Sequence, residues 1–363
     1  MRELLRRAAG RRVTVGFDGF IDTIARPVAR TATADAPAQY FESIPAFGQY
    51  LVEHGGKSCS IALHVERRQL GGNLPHLSRA ASMLGLDVSC VGMLGQPGID
   101  PVFSDLPCKL YSFAPAGEAT ALEFSDGKVF LAADAVWSDD PWQDVCAHVP
   151  QAEQLFREAE LIALVNWSEL DASQALWQAV YDHAVRPDRA NFSRFAFFDL
   201  CDCTRRSAEQ LDQVLRLLGR FATRRTVVLS LNENEALDCG HKLLDGLDDL
   251  GALTEALCQR YGIQQVLVHT IHETLLRTPD GLTREKTRFV AQPRISTGAG
   301  TTSTVQAALR CSLGYPTATA STSPVSLPRR MSPRAAPRRS TKCWTRCNDM
   351  KKRENASAFS LFV

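Results

Sequence analysis

Five short, continuous apolar runs constrain this chain most: "RVTVGFD" (12–18), "LIALVNW" (161–167), "FAFFDL" (195–200), "TVVLSL" (226–231) and "QVLVHT" (265–270). Runs of this length without polar alternation read as strands buried on both faces. The stretches between them carry helical periodicity. Ala208, Leu211, Val214, Leu215 and Leu218 share one helical face, as do Leu250, Leu253, Leu257 and Tyr261, with Gly262 placed to end that helix. Buried strands alternating with amphipathic helices predict an α/β fold with a mainly parallel sheet. In such sheets ligands bind beyond the carboxyl ends of the strands.

The chain has 363 residues, enough for one large domain with a smaller appendage. Residues 40–65 and 108–133 read differently from the apolar runs. "TALEFSDGKVFLA" alternates around Asp126-Gly127, which predicts a β-hairpin and a small β-lid over the ligand edge. After about residue 312 the apolar period stops. Residues 313–363 are rich in Ser, Thr, Pro and Arg and are expected to be a disordered tail beyond a domain at 1–312.

Net charge is +1, which gives no reason to expect a nucleic-acid partner. No apolar run reaches the roughly 20 residues of a membrane span, and "MRELLRRAAGRR" lacks the apolar core of a secretory signal. The 11 cysteines include Cys201-x-Cys203 and Cys343-x3-Cys347 but no matching second pair for zinc, so reduced thiols in the cytoplasm are expected.

The polar residues at the strand ends carry the chemistry. Asp18 and Asp22 in "VGFDGFIDTI" suit turn chemistry, or carboxylates that accept hydrogen bonds from sugar hydroxyls. Gly71-Gly72-Asn73 precedes a helix, where the backbone can approach a polyol and the Asn73 amide offers a donor and an acceptor. Asp199, Asp202 and Arg205 in "FFDLCDCTRR" read as a solvated loop, and His269 and His272 as structural. In "NENEA", Asn232 and Glu235 have capping-box spacing, and Glu235 can also act through water on Mg2+ beside phosphates. Gly298-Ala299-Gly300 follows an extended run and precedes a helix-like stretch, an arrangement whose backbone N–H groups receive an anion.

Singly these signals are weak, but their order is informative. With "NENEA", "STGAG" and "LGLDVSCVGMLG" as the tightest matches, residues 12–300 resemble the ribokinase-like (PfkB-type) carbohydrate kinases. The resemblance implies a three-layer fold, a mainly parallel central sheet with helices on both faces, and a β-lid. It implies transfer of the γ-phosphoryl of ATP, with Mg2+, to a hydroxyl of a sugar or nucleoside, and leaves room for a homodimer. Carried over, Asp18, Asp22, Gly71, Gly72 and Asn73 would hold substrate. Asn232 and Glu235 would organise Mg2+ and phosphate, and Gly298, Ala299 and Gly300 would form the anion hole. Ribose-, fructose-, gluconate- and nucleoside-type acceptors all remain open. A dinucleotide oxidoreductase fits less well, since no Gly-x-Gly-x-x-Gly follows the first strand.

The chain departs from that pattern at three places. His76 stands near the position of a usual Asn, and "VHTIHET" lacks a usual glycine. Above all, Thr301 occupies the place of the catalytic Asp, and a threonine hydroxyl is no base near neutral pH. A change of reading frame after Gly300 accounts for this together with the loss of apolar pattern. If Gly300-Thr301 is written GGG-ACC, the neighbouring frame reads GAC, an Asp codon. Further on, Trp344 has a single codon, and the same shift there forces Leu followed by Asp. The chain as written is therefore expected to be impaired as a kinase; the alternative is an inactive sugar- or nucleotide-binding module.

Overall fold

A computed structural model describes residues 9–133 and 137–286. The N-terminal part opens with β1 (Arg12–Phe17), β2 (Phe20–Arg30), β3 (Gln39–Tyr40) and α1 (Ile44–Glu53). Next come β4 (Leu63–Gly71), α2 (Asn73–Met83), β5 (Asp87–Gly92), β6 (Lys109–Ser112), β7 (Gly117–Glu123) and β8 (Lys128–Ala132). The C-terminal part contains α3 (Pro141–His148), α4 (Ala152–Glu158), β9 (Leu161–Leu164), α5 (Ser173–Ala179) and β10 (Phe195–Asp199). It continues with α6 (Ala208–Ala222), β11 (Thr226–Asn232), α7 (Glu233–Leu243), α8 (Leu250–Tyr261), β12 (Gln265–His269), β13 (Glu273–Thr278) and β14 (Gly281–Lys286).

The large sheet has nine strands in the order β14-β13-β12-β11-β10-β9-β1-β5-β6. From β6 across to β12 every pairing is parallel, and β13 and β14 add an antiparallel hairpin at one edge. All five apolar runs became central strands of this sheet, because their residues are buried on both sides. Val13, Val15, Ala163, Phe197 and Val228 pack on one face with Leu74 and Leu77 of α2. Phe17, Ile162, Leu164, Phe198 and Leu229 pack on the other with side chains of α4 to α8. There Trp177, Phe198 and Phe221 pack in sequence, the first pair tilted and the second edge to face, with ring centroids 5.3 and 5.0 Å apart. Each such buried aromatic contributes on the order of 2–3 kcal/mol from area alone. The two helices read from periodicity form as expected. A Ser207–Gln210 capping box starts α6, and Gly262 ends α8 in the left-handed conformation at φ 68.

The small sheet has the order β3-β2-β7-β8, and β4 pairs antiparallel with β2. The Asp126-Gly127 hairpin forms as expected, with Glu123 opposite Lys128. The lid boundaries differ from the sequence reading in three respects. The long strand β2 belongs to the small sheet and leaves β1 after only two residues, Asp18 and Gly19. Residues 44–53 are helical, with the Ser43 side chain accepting the N–H of Ala46. Strand β6 joins the large sheet beside β5. The Gly298–Thr301 segment and the tail from residue 313 lie outside the described residues.

Candidate active site

Strands β1, β9, β10 and β11 are neighbours in the sheet, and each delivers a polar residue at or just past its carboxyl end: Asp18, Asn166, Asp199 and Asn232. Parallel pairing puts all four on one edge. The turn from β4 into α2 comes to the same edge through Asp18 and Asp199.

Asp18 is completely buried, at 0% exposure. Its Oδ2 accepts the backbone N–H of Asn73 at 2.8 Å and the Asn166 amide at 2.9 Å, and its Oδ1 accepts the N–H of Leu74 at 3.0 Å. Helix α2 begins at Gly72, which has no side chain with which to cap it. Asp18 supplies that cap from β1, satisfying two of the free N–H groups of the first turn and countering the positive end of the helix dipole. Burial pushes its carboxyl up to about 7, outweighing the three hydrogen bonds that favour the charged form. Gly72 holds φ 81, and a Cβ there would lie 2.1 Å from Asp18 Oδ2, so only glycine allows the contact.

Asp22, near the start of β2, packs against the backbone of Gly71. A Cβ on Gly71 would lie 2.2 Å from Asp22 Oδ1. Burial raises the Asp22 carboxyl to about 6, and Lys128 on the lid hairpin opposes that shift. The two glycines thus have separate reasons: Gly71 makes room for the Asp22 carboxylate, and Gly72 for that of Asp18.

Asn73 reaches across to β10, where its Nδ2 donates to Asp199 Oδ1 at 3.2 Å. The same oxygen accepts the N–H of Cys201 at 3.2 Å. Asp199 is therefore no solvated loop residue, in contrast to the sequence reading: it is 9% exposed and tied to α2. Asp202, by comparison, is exposed and caps a short turn at Cys203–Arg205, and Arg205 pairs with Glu169 at 2.7 Å. Asn166 and Cys201 both hold positive φ, at 64 and 61, unusual for residues other than glycine and concentrated where strands end at the site. Asn166 was not singled out in the sequence. The only signal for it was a polar residue directly after an apolar run.

On β11 and α7 the capping box forms. Asn232 Oδ1 accepts the N–H of Glu235 at 2.9 Å, and Glu235 Oε2 accepts the N–H of Asn232 at 2.9 Å. Glu235 is buried, and burial together with the neighbouring carboxylates of Asp199 and Asp202 raises it to about 8. A cation beside these groups would relieve their repulsion, so the donor set suits Mg2+. Among the described residues no group of three His, Cys, Asp or Glu is arranged to ligate a metal directly. His269 and His272 join no such group, and no helix of the described residues is long and apolar enough to cross a membrane.

The structure therefore brings Asp18, Asp22, Gly71, Gly72 and Asn73 together and sets Asn232 and Glu235 on the same edge. Asp18 is fully buried, and both of its carboxylate oxygens already accept hydrogen bonds. Gly298, Ala299, Gly300 and Thr301 lie outside the described residues.

A family model for prokaryotic ketohexokinase matches residues 1–325. A ketohexokinase of Haloferax volcanii is 26% identical over 308 residues, covering 81% of this chain and 79% of that protein. Among solved structures, Arabidopsis thaliana ribokinase complexed with ribose and ATP is 17% identical with a TM-score of 0.51, covering 85% of this chain and 88% of that one. Thermotoga maritima ribokinase gives 12% and 0.54, over 84% and 87% of the two chains. Escherichia coli phosphofructokinase-2 in complex with substrates and products gives 12% and 0.53, over 85% and 88%. At these identities the structural matches speak for the fold alone.

Proposed function

The chain belongs to the prokaryotic ketohexokinase family, and from that premise we propose that it is built to phosphorylate a ketohexose, taking the γ-phosphoryl of ATP onto a sugar hydroxyl. The observation that carries this reading is the meeting of Asp22 with Gly71, and of Asn73 with Asp199, on the sheet edge that also bears Asn232 and Glu235. Asp22 and Asn73 accept and orient the sugar hydroxyls under the lid sheet. Asp18 holds the first turn of α2 so that Asn73 stays in place. Asn232 and Glu235 would hold hydrated Mg2+, which when bound would neutralise charge on the phosphates. The backbone N–H groups of Gly298, Ala299 and Gly300 receive the moving phosphoryl.

The proton of the acceptor hydroxyl lacks its family taker in the chain as written. Thr301 stands where the base belongs, and loss of a general base typically costs ~10^2 to 10^4 in rate. We attribute that loss to the change of frame after Gly300. The family match runs on to residue 325 and so does not itself mark the change. The test is a panel of ketoses, aldoses and nucleosides with ATP and Mg2+, run on the chain as given and on one with the frame restored from codon 301. Ketohexose-dependent ATP consumption in the restored chain alone is expected, and consumption that depends on none of these sugars would sink the assignment.

Thr301 also favours a second reading, a protein that kept its pockets and lost its turnover. Sugar binding that disappears on Asp22→Ala, with no turnover in either the given or the restored chain, would support this one instead.

A further inference from the structure

The amide of Asn73 has two unlike ends, an accepting Oδ1 and a donating Nδ2. Its Nδ2 is committed to Asp199 Oδ1 at 3.2 Å. Asp199 is itself held in place, since the same oxygen takes the N–H of Cys201 and Cys201 sits in the left-handed region. Turning the Asn73 amide over would set its carbonyl oxygen against a carboxylate. Oδ1 is therefore the end left over for a ligand. Asp199 Oδ2 takes no hydrogen bond from any described residue, and Asp199 retains 9% exposure. Together with the Asp22 carboxylate, packed against Gly71 and felt by Lys128 of the lid hairpin, this makes a mainly accepting wall.

We propose that Asp199 is a positioning residue that fixes the Asn73 amide with its oxygen toward the sugar, so that the wall accepts hydroxyl donors and rejects carboxylated sugars. The proposal rests on the sugar-binding reading of Asp22 and Asn73 and adds a selectivity to it. A neutral ketose brings a hydroxyl to each acceptor. An aldonate brings a carboxylate that can donate to none of them and is repelled by Asp22 and Asp199. The loop reading of Asp199 from sequence had no access to this, because its partner lies 126 residues away.

The test uses the full chain, with D-fructose and D-gluconate as probes in titration calorimetry. The unmodified chain should bind fructose at least ~100-fold more tightly than gluconate. Asp199→Ala frees the Asn73 amide to turn and should weaken fructose about 10-fold. Asp199→Asn can still offer an oxygen to Asn73 Nδ2 and to the N–H of Cys201 while presenting its own amide nitrogen to the cleft. It should recover most of the lost fructose affinity and bind gluconate ~10-fold better than the unmodified chain. A ligand-free readout accompanies these: the Asn73 side-chain NH2 resonances should shift and exchange faster with water in Asp199→Ala, and much less in Asp199→Asn. An unchanged fructose-to-gluconate ratio across the three chains, or an Asn73 amide indifferent to Asp199→Ala, overturns the role of Asp199. Failure of all three to bind fructose instead refutes the sugar site on which the proposal stands, and the selectivity with it.

Discussion

Replacing Gly71 by alanine should disable the sugar side of the site while leaving the fold standing. A Cβ at this position would lie 2.2 Å from Asp22 Oδ1 and 2.6 Å from its Cγ. A comfortable carbon–oxygen contact is about 3.3 Å or more. Either the carboxylate retreats by roughly that 1 Å difference or the β2–β4 pairing, which sets Phe20 opposite Gly71, must open. Turning one side chain is the cheaper route, since overpacking of this kind typically costs ~1–3 kcal/mol. Turned away, Asp22 would lose the charge-assisted hydrogen bond proposed for it with a sugar hydroxyl, worth about 1.5–3 kcal/mol, or roughly 10- to 150-fold in Kd. Asp22→Ala removes the same bond directly. Both changes act through one carboxylate, so adding Gly71→Ala to Asp22→Ala should cost little more affinity, and the coupling should nearly equal the single effects. The assay is calorimetric titration of D-fructose into the four chains of the cycle, with denaturant melts showing each to be folded. Fructose binding unaffected by Gly71→Ala, or two effects that add in full, would refute the reasoning.

Three further outcomes follow from the same geometry. Asp18 has a folded carboxyl at about 7 against an ordinary 3.8, so the stability it contributes is fully present below pH 3.8 and is lost as pH rises through about 7. At about 1.4 kcal/mol per pH unit the loss is about 4 kcal/mol, and urea melts from pH 4 to 8 should fall less steeply in Asp18→Ala than in the unmodified chain. Gly72→Ala should destabilise more than Gly71→Ala in thermal melts, because it forces a side chain to φ 81 as well as against the buried Asp18. Glu235→Gln keeps an oxygen for the N–H of Asn232 but sets its new amide nitrogen against Asn232 Nδ2, and should destabilise the fold by about 1–3 kcal/mol. The same change should raise the Mg2+ concentration needed for ATP binding about 10-fold, read by titration with a fluorescent ATP analogue.

The parts legible in the sequence were those set by local pattern. The runs that became β1, β9, β10, β11 and β12 announce themselves because a parallel strand buried on both faces has no polar side. "NENEA" announced a cap, and the structure makes it one whose glutamate is also buried among carboxylates. What pattern could not reveal were groups defined by distant partners. Strand β2 hid because it leaves β1 after two residues, and β4 because it is largely exposed and carries no apolar period. Asp18 reads from sequence as a sugar ligand because it sits at a strand end. Only the fold reveals that helix α2 lacks a cap of its own and borrows this carboxylate across 55 residues. Asn166 and Asp199 belong to the same class, polar residues whose meaning lies in contacts 148 and 126 residues away.

The decisive measurement is the rate of D-fructose-dependent ADP formation, with Mg2+, by the given chain and by the chain whose frame is restored from codon 301. A rate at least ~10^2 higher is expected in the restored chain, because a general base returns beside the proposed sugar site. Equal, robust turnover by the two chains would contradict it, since a proton acceptor would then be at work that Thr301 cannot supply.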